Sequence, residues 1–364
     1  MKIKVLVVDD TIFYRKIVTD ILGSFPDVEV VGTANNGKIA MARIKLLQPD
    51  LLTLDIEMPE MNGLQVLEEI QKQNSDAECL ILSSKTQHDS VITLQALELG
   101  AFDFIAKPAD ASPEENQKSL TKQLRLALNA FSRSLELKRK FSKSGIAGKS
   151  APRSQKIARV AAAVKSIGSA RQRTEKSKAV AIGISTGGPK ALVEMIPQLR
   201  GDLGVPIFLV QHMPEMFTAS LANNLNSKSA LTVKEAENGE QVRGDTVYVA
   251  PGGRQMKVAS GAGLAKIIRI TDDPPENNCR PSVDYLLRSI AREYGAESTC
   301  VIMTGMGSDG RLGLTVAKAS GTFAIAQDEE SCVVYGMPKA VADANLVDVV
   351  APLGIIAQEI MKTL

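Results

Sequence analysis

The 364-residue chain has no tryptophan, and aromatic residues of all kinds make up only 4% of it. Proteins that bind single-stranded nucleic acid use aromatic stacking platforms, so that class is disfavoured. Neither charge dominates: 43 basic and 41 acidic residues leave a net charge of +2. A chain built to bind nucleic acid along its length needs far more positive charge. The four cysteines, Cys79, Cys279, Cys300 and Cys332, show no CxxC spacing. They read as reduced thiols of a cytoplasmic protein, not as a disulfide framework or a zinc site. No apolar run reaches the ~18 residues that span a bilayer. The opening MKIKVLVVDD reads as a strand running into acidic residues, not as a signal peptide. A cytoplasmic protein that is not integral to a membrane is expected. Histidine is the scarcest functional residue, with only His88 and His212.

Hydrophobic residues (44%) and charged residues (23%) allow a core in each of two domains of ordinary size. Continuous apolar strands are predicted at Lys2–Val8, Val28–Gly32, Leu51–Leu54, Cys79–Leu82 and Phe102–Ala106. Helical periods lie between them at Ile12–Phe25, Gly37–Leu47, Asn62–Asn74 and Ser90–Gly100, and afterwards at Glu114–Lys140. Strands apolar on both faces and alternating with helices give a parallel, doubly wound sheet. From about Ser132 to Lys178 basic residues far outnumber acidic ones, which reads as a solvated tether, helical in part around Gln155–Val164.

A second α/β pattern follows. Strands are predicted at Ala179–Ile184, Val205–Val210, Thr246–Ala250, Lys266–Ile270, Ser298–Met303 and Thr322–Ala326, and helices at Gly188–Gln198, Phe217–Leu225, Ser282–Tyr294 and Gly310–Ala319. The fold class expected is therefore α/β, with two doubly wound parallel-sheet domains. No helix-turn-helix pattern follows the first domain, which argues against a DNA-binding regulator.

In the first half, Asp9 and Asp10 end one predicted strand, Asp55 another, Ser83 a third and Lys107 a fourth. Carboxyl ends of parallel strands share one edge, where ligands bind. Three carboxylates gathered there repel one another unless a cation joins them, and oxygen ligands favour a hard ion such as Mg2+. Carboxylates, a lysine and a hydroxyl around that ion suit phosphoryl transfer, with Asp55 as nucleophile and Asp9 and Asp10 on the metal. A merely solvated acidic cluster is the competing reading for any one of these residues.

The segments VLVVDD, LDIEMPEMNG, ILSS and IAKP resemble the response-regulator receiver family over residues 1–125. The resemblance implies a flavodoxin-like fold and phosphorylation of Asp55 by a chemotaxis histidine kinase, with Mg2+ held by Asp9, Asp10 and Asp55. It further implies that Ser83 and Lys107 sense the phosphate, Ser84 being the alternative to Ser83.

In the second half, Gly183-Ile184-Ser185-Thr186-Gly187 fits the G-x-S-x-G turn that exposes a nucleophilic serine between strand and helix. The same glycine-rich turn also suits phosphate binding. His212 ends the next predicted strand and is the one histidine this half offers as a base. Asp309, in the glycine-rich loop after a strand, is the candidate carboxylate; a helix N-cap is its competing role, and the two are compatible. The order Ser, His, Asp excludes the α/β-hydrolase arrangement, whose histidine comes last. The same chemistry recurs on unrelated folds.

The segments GISTGGP, QHMPEMFTASLA, VYVAPGG, CRPSVD, TGMGSDG and QDEESCVVYGMPKA resemble the catalytic domain of protein-glutamate methylesterases, the CheB family. That resemblance implies a catalytic domain over residues 178–364, joined to the receiver by a basic linker over residues 126–177. It implies hydrolysis of glutamyl methyl esters on methyl-accepting chemotaxis receptors, with deamidation of receptor glutamines, by Ser185, His212 and Asp309. Thr186 and Met306 fall where the family places oxyanion-stabilising groups, and no cofactor is implied for the esterase. Relatives often carry a histidine after Pro251-Gly252-Gly253, where this chain has Arg254-Gln255-Met256. A receiver that covers the Ser185 pocket until Asp55 is phosphorylated is the expected switch.

Overall fold

A computed structural model describes residues 2–84, 86–108, 112–143, 165–166 and 175–364. The chain forms two units, dividing between Ser132 and Arg133. The first alternates β1 (Ile3–Val8), α1 (Ile12–Gly23), β2 (Val28–Ala34), α2 (Gly37–Leu47), β3 (Leu51–Asp55), α3 (Gly63–Lys72), β4 (Glu78–Ser83), α4 (Gln87–Glu98) and β5 (Asp103–Ala106), then α5 (Pro113–Lys143). Its five strands are parallel in the order β2-β1-β3-β4-β5. Every residue of β3 is buried, as a strand covered on both faces requires. Strand order reverses between β1 and β3, so the crevice of this sheet opens beside Asp9 and Asp55. Helix starts are set locally: Asn36 accepts from Ile39 N, and Asn62 and Gln65 form a reciprocal capping box on α3.

Helix α5 continues through residues 126–143. Its apolar period buries Leu120, Leu124, Leu128 and Phe131, the last edge-on to Phe102 at 5.6 Å between ring centres. The helical stretch expected at 155–164 lies outside the described residues.

The second unit contains an eight-stranded sheet in the order β6-β15-β14-β13-β7-β8-β10-β9. Its strands are β6 (Lys165–Ser166), β7 (Ala179–Ile184), β8 (Ile207–Gln211), β9 (Thr232–Glu235), β10 (Thr246–Val249), β13 (Ser298–Ile302), β14 (Phe323–Gln327) and β15 (Val349–Ala351). Only β6 runs antiparallel to its neighbour. A separate antiparallel pair, β11 (Gln255–Ser260) and β12 (Lys266–Thr271), stands outside this sheet. The helices are α6 (Gly188–Met195), α7 (Phe217–Asn226), α8 (Val283–Glu293), α9 (Arg311–Ala319), α10 (Met337–Asp343) and α11 (Leu353–Met361). Strands β7, β8 and β13 are wholly buried and lie side by side at the reversal of strand order. Gly183 lets α8 pack directly on β7: a Cβ there would lie 2.4 Å from Val283 Cγ1.

The sequence missed β6, which falls in the stretch read as a tether, and β9, β11, β15, α10 and α11. The helix expected over Gly188–Gln198 ends at Met195 and tightens into a 3-10 turn over Ile196–Gln198, because Pro197 has no N–H to continue it. His88 stands exposed in the first turn of α4.

Candidate active site

In the first unit, Asp9 is buried just beyond β1, and Asp55 is buried at the end of β3. Lys107, just after β5, places Nζ 3.0 Å from Asp9 Oδ2 and 3.0 Å from Asp55 Oδ2. Thr11 donates its N–H and its hydroxyl to Asp9 Oδ1, and Ile56 N–H donates to Asp55 Oδ1. Carboxylate oxygens of Asp9, Asp10 and Asp55 all lie within 4.8 Å of one another, an all-oxygen donor set of the kind a hard divalent cation takes. Burial, reinforced by the neighbouring carboxylates and only partly offset by Lys107, raises Asp55 to about 6. Burial works to lower Lys107, but Asp55 and Asp9 together hold it above the ordinary lysine range. Ser83 reaches the same edge, but its buried hydroxyl accepts from Thr93 Oγ1 at 2.7 Å and donates to the Ser84 carbonyl. Four of the expected phosphoryl-site residues are therefore drawn together, while Ser83 is bonded toward α4.

In the second unit, Ser185 follows β7 and opens a tight turn into α6. Ser185 N–H donates to the Thr304 carbonyl, and the Ser185 carbonyl accepts from Gly188 N–H at 2.7 Å. Two glycines make this turn possible. Gly187 has φ +77°, and a Cβ on it would lie 2.6 Å from Val333 Cβ; at Gly305 a Cβ would lie 2.7 Å from Ser185 Cβ. Among the described residues, no acceptor takes the N–H of Thr186 or of Met306. Both donors lie in the loops that flank Ser185, the first just ahead of the N-terminus of α6.

His212 immediately follows β8, the strand hydrogen-bonded to β7, and its N–H donates to the Ile184 carbonyl. Its Nε2 lies 2.8 Å from Asp309 Oδ2. Among the described residues, none is hydrogen-bonded to Ser185 Oγ.

Asp309 is buried and held by six donors. Oδ2 receives His212 Nε2–H and Val283 N–H; Oδ1 receives Ser282 Oγ–H, Asn277 Nδ2–H, Asp284 N–H and Gly310 N–H. Its carboxylate therefore sits on the N-terminus of α8. The N-cap of α9 is Gly310, so Asp309 does not cap its own helix as the competing reading had it. Burial disfavours its charge, yet the bonds from His212 and the α8 backbone hold Asp309 down to about 2. Burial also disfavours a charge on His212, but Asp309 and the neighbouring Cys279 raise its proton affinity above that of free imidazole.

Sequence reasoning missed Asn277, Ser282 and Asp284, which surround Asp309. Asp284 accepts from Asn277 Nδ2 and from Gly313 N–H, tying α8 to α9. The available signal was local: Ser282 ahead of an apolar helical run, with Asp284 in the first turn, is a helix-start pattern.

Residues 180–360 match the family model described as CheB methylesterase, and residues 5–115 match that of the response regulator receiver domain. A protein of Desulfotalea psychrophila named protein-glutamate methylesterase/protein-glutamine glutaminase is 51% identical over 363 residues, covering 99% of this chain and 98% of its own. A protein of the same name from Bacillus subtilis is 42% identical, covering 95% of this chain and 94% of its own. The crystal structure of the Thermotoga maritima CheB methylesterase catalytic domain superposes with a TM-score of 0.51 at 42% identity, covering 52% of this chain and 99% of that one.

Proposed function

The chain belongs to the CheB family of protein-glutamate methylesterases that carry a receiver domain, and from that premise we propose a phosphorylation-controlled serine hydrolase acting on chemotaxis receptors. The observation that carries the chemistry is the six-fold anchored Asp309 bonded to His212, on the strand next to the Ser185 turn. Asp309 accepts a hydrogen bond from the Nε2–H of His212, which fixes the tautomer that leaves the lone pair on Nδ1. His212 removes the Ser185 hydroxyl proton as Oγ attacks the glutamyl ester carbon. The oxyanion that forms is met by the free N–H groups of Thr186 and Met306. Collapse expels methanol, which takes its proton from His212, and water then releases the glutamate by the reverse sequence. With a glutamine side chain the same steps release ammonia. Catalytic hydrogen bonds are commonly loose before substrate binds, and the Ser185–His212 bond forms in the substrate complex.

In the receiver, Asp55 takes a phosphoryl group from a histidine kinase, and Lys107 moves to pair with it. Asp9, Asp10 and Asp55 would hold Mg2+, which when bound neutralises phosphoryl oxygens. Phosphorylation then relieves inhibition of the esterase. Among the described residues, no helix is long and apolar enough to cross a membrane. The proposed place of action is the cytoplasm, on the receptors' interior domains. The test is receptor mass spectrometry: the wild-type chain removes glutamyl methyl groups and Ser185→Ala leaves them in place. Demethylation by Ser185→Ala at the wild-type rate would overturn the triad.

A further inference from the structure

Beside His212, and within 4.8 Å of a carboxylate oxygen of Asp309, lies a thiol that the hydrolysis does not use. Cys279 Sγ is 3.7 Å from His212 Nδ1 and donates to the Asn277 carbonyl. Cys79, Cys300 and Cys332 are buried, whereas Cys279 is half-buried on a loop whose residues 272–275, 277, 278 and 280 are exposed. The thiol is held in place rather than loosely presented. Glu276 and Cys279 exchange both backbone hydrogen bonds, at 3.1 and 2.7 Å, across a two-residue turn. Asn277 and Asn278 take the left-handed conformation that such a turn demands, at φ +51° and +60°.

We propose that Cys279 Sγ and His212 Nδ1 form a binding site for a thiophilic divalent cation, zinc above all, and that its occupancy shuts off the esterase. Thiolate and imidazole are borderline-soft ligands that select zinc over magnesium. Two such ligands on a tetrahedral zinc stand about 3.5 Å apart, close to the spacing already present. The other ring nitrogen is already given to a carboxylate, Asp309, which is the arrangement that orients metal-bound histidines. Binding releases the thiol proton, and any proton carried by His212 Nδ1, to solvent and forms the Zn–S and Zn–N bonds, with solvent filling the remaining positions. The metal then occupies the lone pair that would take the Ser185 proton.

The inhibitory half of the proposal rests on the hydrolase reading above, while the binding half does not. The experiment uses the full chain with the receiver saturated by Mg2+. Cobalt(II) serves as an optical probe of thiolate ligation, and zinc as the inhibitor. Wild type and Ser185→Ala are expected to develop the near-ultraviolet thiolate-to-cobalt band, and Cys279→Ser to lack it. Zinc is expected to suppress methanol release by the wild type reversibly with a chelator, and Cys279→Ser to need at least about tenfold more zinc relative to its own metal-free rate. A missing band in the wild type, a band retained by Cys279→Ser, or equal zinc sensitivity of the two would overturn the proposal. A thiolate band that depends on Cys279 in a chain releasing no methanol under any condition would support the metal site and count against the hydrolase reading.

Discussion

The two halves of the molecule each place an aspartate beside a basic side chain at the carboxyl edge of a parallel sheet, and the two aspartates end up opposite in character. Asp55 has one backbone N–H and one lysine to set against burial and two neighbouring carboxylates, and it is raised to about 6. Asp309 is also buried, but six donors and the start of α8 surround it, and it is lowered to about 2. The lesson is that burial alone does not decide a carboxylate's role; the donors around it do. A saturated carboxylate is fixed and can only orient its partner. An under-satisfied one next to other acids keeps lone pairs free for a phosphoryl group and is stabilised by whatever neutralises it.

The largest expected effect comes from breaking the saturated side. Asp309→Asn places an amide where Oδ2 must accept both His212 Nε2–H and Val283 N–H, so one donor is left facing an NH2 or the imidazole is turned. Methanol release from methylated receptors is expected to fall by about 10²–10⁴-fold with the fold intact by circular dichroism. A loss under threefold would contradict the orienting role.

Breaking the other side should have the reverse effect on stability. Asp55→Asn removes one of the mutually repelling carboxylates and is expected to stabilise the receiver at pH 7 by about 1–3 kcal/mol, read by thermal denaturation, while abolishing phosphorylation. The sign follows from the raised value. The folded state binds the Asp55 proton more tightly than the unfolded state does, so that stabilisation is complete below about 4 and is lost as pH rises through about 6. Above that window the ionised Asp55 is a burden that asparagine relieves. The same shift predicts that Mg2+-free chain loses stability between pH 4 and 6, and that Asp55→Asn flattens that slope. An unchanged slope in the variant would place the titration elsewhere.

The smallest effect sharpens the comparison. Ser282→Ala removes one of the six donors to Asp309 together with the N-cap of α8. It should cost about 1 kcal/mol of stability and a few-fold in activity, far less than Asp309→Asn.

Much of this was legible from residues alone. Strand-end aspartates, the Gly-flanked Ser185 and the single usable His212 needed only periodicity and the rule that carboxyl ends of parallel strands share an edge. Short or peripheral elements were not legible: β9 and β15 have four and three residues, and the pattern of β11 is weak without its partner β12. Four of the six donors around Asp309 come from residues 277–284, about thirty positions earlier in the chain, and only the packing of α8 on β7 brings them together. Cys279 was legible as a thiol but not as a neighbour of His212, because the turn that presents it depends on two left-handed asparagines.

The most direct test of the account is methanol release from methylated chemoreceptor membranes, measured with and without a small-molecule phosphodonor and Mg2+. The account predicts release that rises with phosphodonor in the wild type, stays at the basal rate in Asp55→Asn and vanishes in Ser185→Ala. Equal stimulation of wild type and Asp55→Asn, or release that survives in Ser185→Ala, would contradict it.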